Sequence, residues 1–375
     1  MEFNELRYQK PSTRTYLGSP SPLRLGNGDL LATHDYFGPG APKDYQGMQN
    51  LTSVYRSGDG GRMWENVTHI SGAFWSGLFE HRGQVYLLGV SCRYGSIVIR
   101  RSEDGSNTWT HPIDGESGLL FRGGPSREPP NYHCAPMPVL LKDGRLYRAF
   151  ENCDPPQWGT GFRSLVVSAD ADADLLEAAA WRMSNHLAYD PDWSPPAWER
   201  PLEAPGWLEG NVIETDGGDI WNVLRFNARP EVNQAAVVKV EDDGGRVGFD
   251  PETGFIELPG GGVKFTIRRD PRTGQYLTLS NNNSDPSYPR QRNVLSLRAS
   301  DDLVNWRRVR TLLTDDSDLS HEESIRQVGF QYVDWRFDAE DIIYLVRTAY
   351  GGAHNYHDAN RITFHRLEGF RTCLS

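Results

Sequence analysis

One short motif recurs along the chain and constrains the fold more than any other feature. Ser57–Trp64 carries Ser, Asp, Gly and Trp at fixed offsets, and Ser102–Trp109 repeats it almost position for position. Ser300–Trp306 keeps the Ser, Asp and Trp, and a degenerate copy begins at Ser168–Asp170, with its tryptophan displaced to Trp181. Asp and Gly at the corner of a turn, followed by an aromatic residue, are typical of a β-hairpin. Widely spaced copies indicate a tandem array of small sheets.

The motif resembles the Asp-box of sialidase-like β-propellers. In that family the Asp side chain bonds back to its own turn, and the Trp fills the space beneath it. The resemblance therefore implies a propeller scaffold, whereas the motif itself says little about the reaction.

A second repeat lies between these motifs: an apolar strand, a turn and another apolar strand. The turns of the six copies fall at Gly28, Gly83, Gly144, Gly218, Gly274 and near Glu340. Each strand pair is followed by a second pair. Four strands per unit, six units and little helical periodicity predict an all-β fold: a β-propeller of six blades, each with four antiparallel strands.

Seven blades stay open as an alternative, with Arg14–Leu17 completing an extra blade. Only Asp174–Ala180 has a helical pattern. Because no linker interrupts the series, we expect a single propeller domain over residues 1–375.

The charge of the chain restricts its partners. With 39 Lys and Arg against 50 Asp and Glu, the net charge of −11 disfavours nucleic acid and membrane surfaces. An acidic oligosaccharide or glycan end is compatible, because basic residues can gather locally within an acidic shell. The chain shows no apolar membrane-spanning stretch and no signal peptide, which predicts a cytoplasmic protein or one that has lost its leader. The oligomeric state is not predicted.

The cysteines give no sign of a metal centre. Cys92, Cys134, Cys153 and Cys373 are scattered without metal-ligand spacing, so we expect buried free thiols, no zinc site and no cofactor. A structural divalent cation in the propeller channel stays open, since sequence would not reveal it.

The predicted topology brings one set of side chains to one mouth of the channel. In each unit the second strand returns to the face where the first strand began. The corresponding residues near the ends of the second strands are Asp35, Val90, Glu151, Arg225, Asn281 and Arg347. Two arginines in such apolar strands need anionic partners, either Asp35 and Glu151 or a ligand.

Further candidates lie in the segments that share this mouth. These are His34, Tyr132, His133, Glu209, Asn211, Lys264, His354 and His357. Several imidazoles beside two arginines favour a functional site over scattered structural residues.

The chain also resembles a group of propellers that contains the rhamnose-α-1,4-glucuronate lyases and their α-L-rhamnosidase relatives. The stretches that carry this resemblance are Leu30–Gly38, Tyr132–Pro136, Trp207–Asn211, Lys264–Arg268, Val328–Tyr332 and His357–Asn360. The resemblance implies cleavage of a terminal rhamnosyl-glucuronate linkage by β-elimination at the uronate.

Uronate elimination requires a group that neutralises the carboxylate, a base for the C5 proton and an acid for the leaving oxygen. We assign carboxylate binding to Arg225 and Arg347, the base to His133 and the acid to His357, with Tyr132 able to replace either. The remaining candidates are expected to bind substrate: His34, Asp35, Glu209, Asn211, Lys264, Asn281 and His354.

Two other functions stay open. A glycoside hydrolase, of the α-L-rhamnosidase or exo-sialidase type, could use carboxylates such as Asp35, Glu151 and Glu209. A sialidase, however, carries Arg-Ile-Pro before its first inner strand, where this chain has Ser19–Pro22. The third reading is a propeller that binds a glycan or a protein without catalysis.

Overall fold

The computed structural model describes residues 2–124 and 127–374, and its architecture is a six-bladed β-propeller. Each blade is an antiparallel sheet of four strands. In blades 1 to 5 the strands pair in chain order from the central channel outwards, whereas blade 6 takes its outermost strand from the N-terminus. The predicted fold class is therefore confirmed.

Blades 1 to 3 occupy the first half of the chain. Their strands are Tyr16–Arg24, Leu30–Phe37, Leu51–Ser57 and Glu65–Ser71 in blade 1; Phe74–His81, Gln84–Val90, Ile97–Ser102 and Leu119–Phe121 in blade 2; and Tyr132–His133 with Leu140–Lys142, Arg145–Cys153, Phe162–Asp170, and Trp181–Met183 with Leu187–Ala188 in blade 3. In blade 3 the first and fourth strands are each broken into two pieces.

Blades 4 to 6 complete the ring. Their strands are Gly206–Glu214, Ile220–Asn227, Gln234–Glu241, and Arg246–Phe249 with Phe255–Glu257 in blade 4; Thr266–Arg269, Tyr276–Asn281, Val294–Ser300 and Arg307–Thr314 in blade 5; and Gly329–Asp338, Asp341–Ala349, Arg361–Leu367 and the N-terminal Asn4–Tyr8 in blade 6.

The N-terminal strand decides the number of blades. Asn4–Tyr8 pairs with Arg361–Leu367 as the outermost strand of blade 6. Residues Tyr16 and Leu17 belong to the first strand of blade 1, so the seven-bladed alternative is wrong. The ring is also joined near its axis, where Ser21 Oγ of blade 1 donates to Asp334 Oδ2 of blade 6 at 2.8 Å.

The apolar core is divided among the interfaces between blades. Six main clusters of buried side chains lie one at each junction of neighbouring blades. Each sheet is therefore covered on both faces, which explains why the inner strands read as near-continuous apolar runs.

The predicted aspartate turns, Ser57–Trp64, Ser102–Trp109 and Ser300–Trp306, connect the third and fourth strands of blades 1, 2 and 5. Asp104 Oδ1 accepts from the amides of Asn107 and Thr108, both at 3.0 Å. The indole of Trp109 donates to the Ser106 carbonyl at 3.1 Å and packs against the cluster between blades 1 and 2. The contacts predicted from the motif are present.

Helix is scarce in the described residues. The predicted helical segment Asp174–Ala180 forms only a short 3-10 turn at Ala178–Ala180. An α-helix that the sequence analysis missed spans His321–Gln327, and its capping box joins Ser320 and Glu323. Further 3-10 turns of the described residues lie at Pro11–Thr13, Pro191–Trp193, Asp242–Gly244 and Phe370–Cys373. None of the helices in the described ranges has the length and apolar character needed to cross a membrane.

Candidate active site

The largest concave feature at the predicted mouth of the channel is a cavity of about 530 Å³, which we call the main cavity. A side pocket of about 230 Å³ adjoins it. Both are lined by the same five residues at their boundary: His133, Trp158, Glu209, Tyr332 and His357. The predicted mouth therefore contains one continuous site, on the face opposite the glycine turns.

Four first strands contain a β-bulge at equivalent positions, and each bulge places a non-glycine residue in the left-handed region. These residues are Ser19 (φ 49°), Trp75 (φ 51°), Glu209 (φ 57°) and Tyr332 (φ 51°). The strand register shifts by one residue across each of them. A bulge re-aims the side chain at its extra residue, and all four line the main cavity.

The local sequence permits this conformation in blade 4. Gly210 follows the bulged Glu209, and a Cβ at Gly210 would lie 2.0 Å from Asn222 Oδ1. Only glycine fits there, so the neighbouring strand can carry a buried asparagine directly behind the bulge. A positive φ costs a non-glycine residue about 1–2 kcal/mol, which the surrounding sheet must offset.

Glu209, Arg225 and Tyr332 form the centre of the site. Arg225 Nη1 donates to Glu209 Oε2 at 3.0 Å and lies 3.5 Å from the Tyr332 hydroxyl. Burial opposes both charges of the Arg225–Glu209 pair. Their attraction nevertheless prevails, so the pKa of Arg225 is raised and that of Glu209 is lowered. Glu209 is therefore the carboxylate partner of Arg225, not the predicted Asp35 or Glu151.

Arg347 has no carboxylate partner within ion-pair distance among the described residues. Its guanidinium lies between two aromatic rings, 4.3 Å from the centroid of Phe37 and 4.7 Å from that of Tyr332. Nη2 donates to the His357 carbonyl at 2.5 Å and lies 3.2 Å from His357 Nε2. Burial lowers the pKa of Arg347 to about 10, so the group stays charged at neutral pH.

Arg292 is a second buried guanidinium without an ion pair to the described residues. It lies 5.6 Å from the Tyr332 ring centroid and 5.5 Å from that of Tyr356, and it donates to Gln331 Oε1. Burial lowers its pKa. The Nε atoms of Arg292 and Arg347 are buried without a hydrogen-bond partner in the described chain. Such donors are costly to bury unless a ligand accepts from them.

Asp35 lies on the blade 1 wall of the main cavity. The Trp75 amide donates to Oδ2 at 2.6 Å, and Thr52 Oγ1 lies 2.6 Å from Oδ1 and 2.8 Å from the Ala73 carbonyl oxygen. A hydroxyl has one hydrogen and a carbonyl only accepts. When Thr52 donates to Ala73, Asp35 Oδ1 must hold the hydrogen between them. Burial raises the pKa of Asp35 to about 7, against the hydrogen bonds from Thr52 and the Trp75 amide, which lower it.

His133 lines both the main cavity and the side pocket. Its Nδ1 lies 2.8 Å from Glu151 Oε2, and Glu151 is fully buried behind it. The imidazole also packs among aromatic rings, 4.4 Å from Trp75 and 5.0 Å from Phe162 between centroids. The carboxylate and the rings fix the orientation of the imidazole on the cavity wall.

His357 and His354 share one carboxylate at the rim. Asp358 Oδ1 lies 2.9 Å from His357 Nδ1, and Oδ2 lies 2.7 Å from His354 Nδ1. Burial, followed by the charge of Arg347, lowers the pKa of His357 to about 3. His357 is thus uncharged at neutral pH, and its Nε2 accepts from Arg347. This arrangement does not fit the predicted role of His357 as proton donor. His354 is more exposed and stacks on Tyr16 at the rim.

Two predicted residues point away from the cavity. Tyr132 is buried in the apolar cluster between blades 2 and 3, because neighbouring residues of a strand face opposite sides and His133 faces the cavity. His34 is fully buried, with Nε2 at 3.2 Å from the Tyr55 hydroxyl. Neither side chain lines the cavity, so the role predicted for each as a contact to substrate is not supported.

Asn211, Asn281 and Lys264 are likewise enclosed by the blades rather than brought to the cavity. Asn211 Oδ1 accepts from the Ile267 amide at 2.8 Å, and Asn281 Nδ2 donates to the Phe330 carbonyl at 2.7 Å. Lys264 Nζ donates to the Val333 carbonyl at 2.5 Å, and burial lowers its pKa to about 8. These three residues tie neighbouring blades together.

Several residues of the site were not predicted from the sequence. Tyr332 and Arg292 were given no role, although Tyr332 lay within a stretch that carried the family resemblance. The aromatic wall formed by Phe37, Trp75, Tyr94 and Trp158 was also missed. One signal was available: Glu209 and Tyr332 stand at the same offset in their first strands, which a blade-by-blade alignment of those strands would show.

No metal site is evident in residues 2–124 and 127–374, where no three His, Cys, Asp or Glu side chains are grouped as ligands. The four cysteines are free thiols, two buried and two partly exposed.

Neither a protein-family model nor a curated protein sequence matches the chain. Solved structures do. An α-L-arabinanase of Penicillium chrysogenum with arabinobiose is 15% identical with a TM-score of 0.55, over 97% of this chain and 95% of that one. The GH93 α-L-arabinofuranosidase of Fusarium graminearum with arabinobiose is 12% identical with a TM-score of 0.58, over 98% of both chains.

A sialidase of Trypanosoma rangeli with sialic acid is 14% identical with a TM-score of 0.57, over 96% of this chain and 55% of that one. At such identities the likeness shows the fold alone. The chain is similar to six-bladed propellers of the sialidase type. The resemblance to the rhamnose-α-1,4-glucuronate lyase group stays a prediction.

Proposed function

We propose that this protein is a glycoside hydrolase that releases a terminal sugar bearing a carboxylate. The observation that carries the proposal is the set of guanidinium groups around Tyr332. Arg225, Arg292 and Arg347, which we call the arginine clamp, all approach this ring, and only Arg225 has a carboxylate partner among the described residues.

The clamp accounts for the anionic part of the substrate. Two buried guanidiniums with unpartnered N–H donors are stabilised when a carboxylate enters between them, since arginine binds carboxylates through paired hydrogen bonds. Arg347 comes from blade 6, yet it lies 3.9 Å from the position a Cβ of Gly18 would take in blade 1. The Arg347 side chain thus lies beside the first strand of blade 1, where sialidases carry Arg-Ile-Pro and this chain does not.

In the first half of the reaction Tyr332 acts as nucleophile. Glu209, which shares Arg225 Nη1 with Tyr332, accepts the phenolic proton, and the oxygen attacks the anomeric carbon. Asp35, which is protonated near neutral pH, gives its proton to the departing glycosidic oxygen. A tyrosine suits a sugar with a carboxylate, because a neutral phenol repels that group less than an aspartate or glutamate would.

In the second half water replaces the leaving group. Asp35, now ionised, takes a proton from water, and the resulting hydroxide attacks the anomeric carbon. The bond to Tyr332 breaks, Glu209 returns the proton to the phenolic oxygen, and Asp35 is again protonated. The configuration at the anomeric carbon is retained, since it inverts twice.

The similar structures support this reading in one respect. The T. rangeli sialidase was solved with sialic acid, a sugar acid, and it shares the six-bladed scaffold. The arabinanase and the arabinofuranosidase were solved with arabinobiose, so the scaffold also serves neutral glycans. The clamp favours the acidic class for this chain.

Elimination at a rhamnosyl-glucuronate linkage is the second candidate function. The His133–Glu151 pair on the cavity wall favours it, because an oriented imidazole beside the arginine clamp could remove the C5 proton of a bound uronate. In that reaction Asp35, rather than His357, would protonate the leaving oxygen.

One experiment separates these functions. The purified protein is incubated with aryl glycosides of N-acetylneuraminic acid and glucuronic acid, and with rhamnosyl-glucuronate. We expect phenol release and a saturated sugar acid, identified by mass spectrometry. An unsaturated uronate would instead establish the lyase, and binding without any product would establish a glycan-binding propeller.

Labelling tests the nucleophile directly. An activated fluorinated glycoside of the accepted sugar acid should trap the covalent intermediate, and peptide mass spectrometry should find the label on Tyr332. Tyr332→Phe should stay unlabelled. A label on another side chain would overturn the assignment of Tyr332.

A further inference from the structure

The outer end of the main cavity, on blades 1 and 2, carries a second group of cations. Lys43 and Arg93 line the cavity, and Arg127 lies next to Arg93, over the same Tyr94 ring. The guanidinium carbons of Arg93 and Arg127 lie 5.7 Å and 5.3 Å from the centroid of one ring, that of Tyr94, which is also a cavity residue. We call Lys43, Arg93 and Arg127 the outer cation cluster.

From this cluster we propose a second anion subsite, which binds a sulfate, phosphate or carboxylate on the sugar next to the one that is cleaved. The proposal deepens the proposed function and rests on it for the identity of the first sugar. The ligand is therefore a glycan with two anionic groups, one held by the arginine clamp and one by the outer cation cluster.

The cations of the outer cluster lack carboxylate partners in the described part of the chain. None of the three cations forms an ion pair with a carboxylate in residues 2–124 and 127–374. The nearest acidic residue in sequence to Lys43 is Asp44, and its carboxylate already accepts from the amides of Gln46 and Met48 at 2.9 Å and 2.8 Å. All three residues are exposed at the rim, where an anion in solution can reach them.

Like charges lie close together in the outer cation cluster. Two guanidiniums share one aromatic ring. Partial burial of the exposed Arg93, followed by the charge of Arg127, lowers the pKa of Arg93. A chain with 50 acidic and 39 basic side chains has many acidic residues to interleave, yet this rim contains three cations together. Such a local field draws anions from solution.

The outer cation cluster and the arginine clamp share the main cavity. Lys43, Arg93 and Arg347 line the same cavity, and the walls between them are the rings of Phe37, Trp75 and Tyr94. Aromatic faces flanked by cations are suited to sugar rings that carry charged substituents. A cavity of about 530 Å³ is also larger than the side pocket of about 230 Å³ and lies in the size range of ligand sites.

The test measures anion binding without turnover, so it does not depend on hydrolysis. D-glucose 6-sulfate is titrated calorimetrically into the full-length protein, with D-glucose as neutral control. Arg292→Gln weakens the clamp and isolates the outer subsite. Two triple variants are then compared. The test variant adds Arg93→Gln and Arg127→Gln to Arg292→Gln. The matched control adds Arg62→Gln and Arg82→Gln instead, which removes the same amount of positive charge away from the main cavity.

We expect Arg292→Gln to retain sulfate binding, and the added Arg93→Gln and Arg127→Gln to weaken it about tenfold or more, since each substitution removes a charged hydrogen-bond donor. The matched control should keep the affinity. Equal affinity in the two triple variants, loss of binding through Arg292→Gln alone, or no sulfate binding at all would each overturn the subsite.

The sources of the anion are told apart by glucose 6-phosphate and glucuronate in the same titrations. If acidic glycosides are not hydrolysed but the outer cluster binds sulfate, only the proposed function fails. If they are hydrolysed and the outer variants bind sulfate like the control, only the second subsite fails.

Discussion

The aspartate turns and the bulged first strands are both repeats of the propeller, but they differ in kind. An aspartate turn repeats residue types, as in Ser102–Trp109, because in blades 1, 2 and 5 its Asp accepts from amides of the turn and its Trp donates to a turn carbonyl. A bulge repeats a backbone conformation, and its residue type changes from Ser19 to Trp75 to Glu209 to Tyr332. A repeat of residue types can be recognised from the sequence, whereas a repeat of backbone conformation with changing residue types cannot.

This difference follows from what each feature contacts. The turn residues satisfy their own backbone and the cluster beside them, so the same chemistry serves every blade. The bulged residues face the shared cavity, where each of the four bulged strands contributes a different side chain. Stability therefore repeats around the ring, whereas function is divided among the blades.

The largest expected effect tests the functional half of this comparison. Tyr332→Phe should lower kcat on an acidic aryl glycoside by about a thousandfold or more, because it removes the proposed nucleophile. The melting temperature should hardly change, since the hydroxyl approaches only Arg225 Nη1, at 3.5 Å, among the described residues. Steady-state kinetics and calorimetry measure the two quantities.

Tyr350→Phe is the matched control. Its hydroxyl bonds to Asp316 at 2.7 Å on an outer loop, away from the main cavity. We expect unchanged kcat in this variant. If Tyr332→Phe behaves in the same way, the bulge of blade 6 serves the fold rather than the reaction.

The scaffold was predictable because its signals are local. Asp and Trp offsets, turn glycines such as Gly28 and alternation of apolar runs depend on neighbours in the chain. The closing strand was not predictable, since Asn4–Tyr8 carries little apolar pattern and pairs with a strand more than three hundred residues away. The helix His321–Gln327 could have been found from its capping box.

The site was predictable only in part. Strand topology correctly brought Asp35, His133, Arg225 and Arg347 to one mouth, because the ends of second strands meet there. Strand topology does not tell which side of the sheet a side chain faces. The predicted site therefore included Tyr132, His34 and Asn281, whose side chains are enclosed between blades. The ion pair of Arg225 could not be predicted either. Its partner is the bulged Glu209, and a bulge shifts the alternation that decides which side of the sheet a side chain faces.

A smaller effect, on pH dependence, tests Asp35. Its pKa is about 7 in the folded protein against an ordinary value of 3.8. The protonated form is the proposed acid, so kcat/KM should fall about tenfold per pH unit above pH 7. A profile that stays flat above pH 7 would contradict the assignment of Asp35 as the acid.

Stability gives the control for this assignment. A raised folded pKa means that the native state binds the proton more tightly, so the stabilisation is present below about pH 4 and is lost as pH rises through 7. Asp35→Asn should remove this dependence. The difference in unfolding free energy between wild type and variant should change by a few kcal/mol between pH 4 and 8, measured by denaturant titration. A constant difference would show that Asp35 is ionised in the fold.

The smallest effect tests the structural half of the comparison. Asp104→Ala removes the acceptor for the Asn107 and Thr108 amides in the aspartate turn of blade 2. The melting temperature should fall by a few degrees, about 2–6 °C, while kcat and KM stay unchanged, because the turn lies far from the mouth. Glu103→Ala is the control and should leave both quantities unaltered, since the exposed Glu103 pairs with Arg101 at 3.1 Å and such surface pairs contribute little. A loss of activity in Asp104→Ala without a loss of stability would mean that the turns are not merely structural, and that the division between repeated scaffold and divided site does not hold.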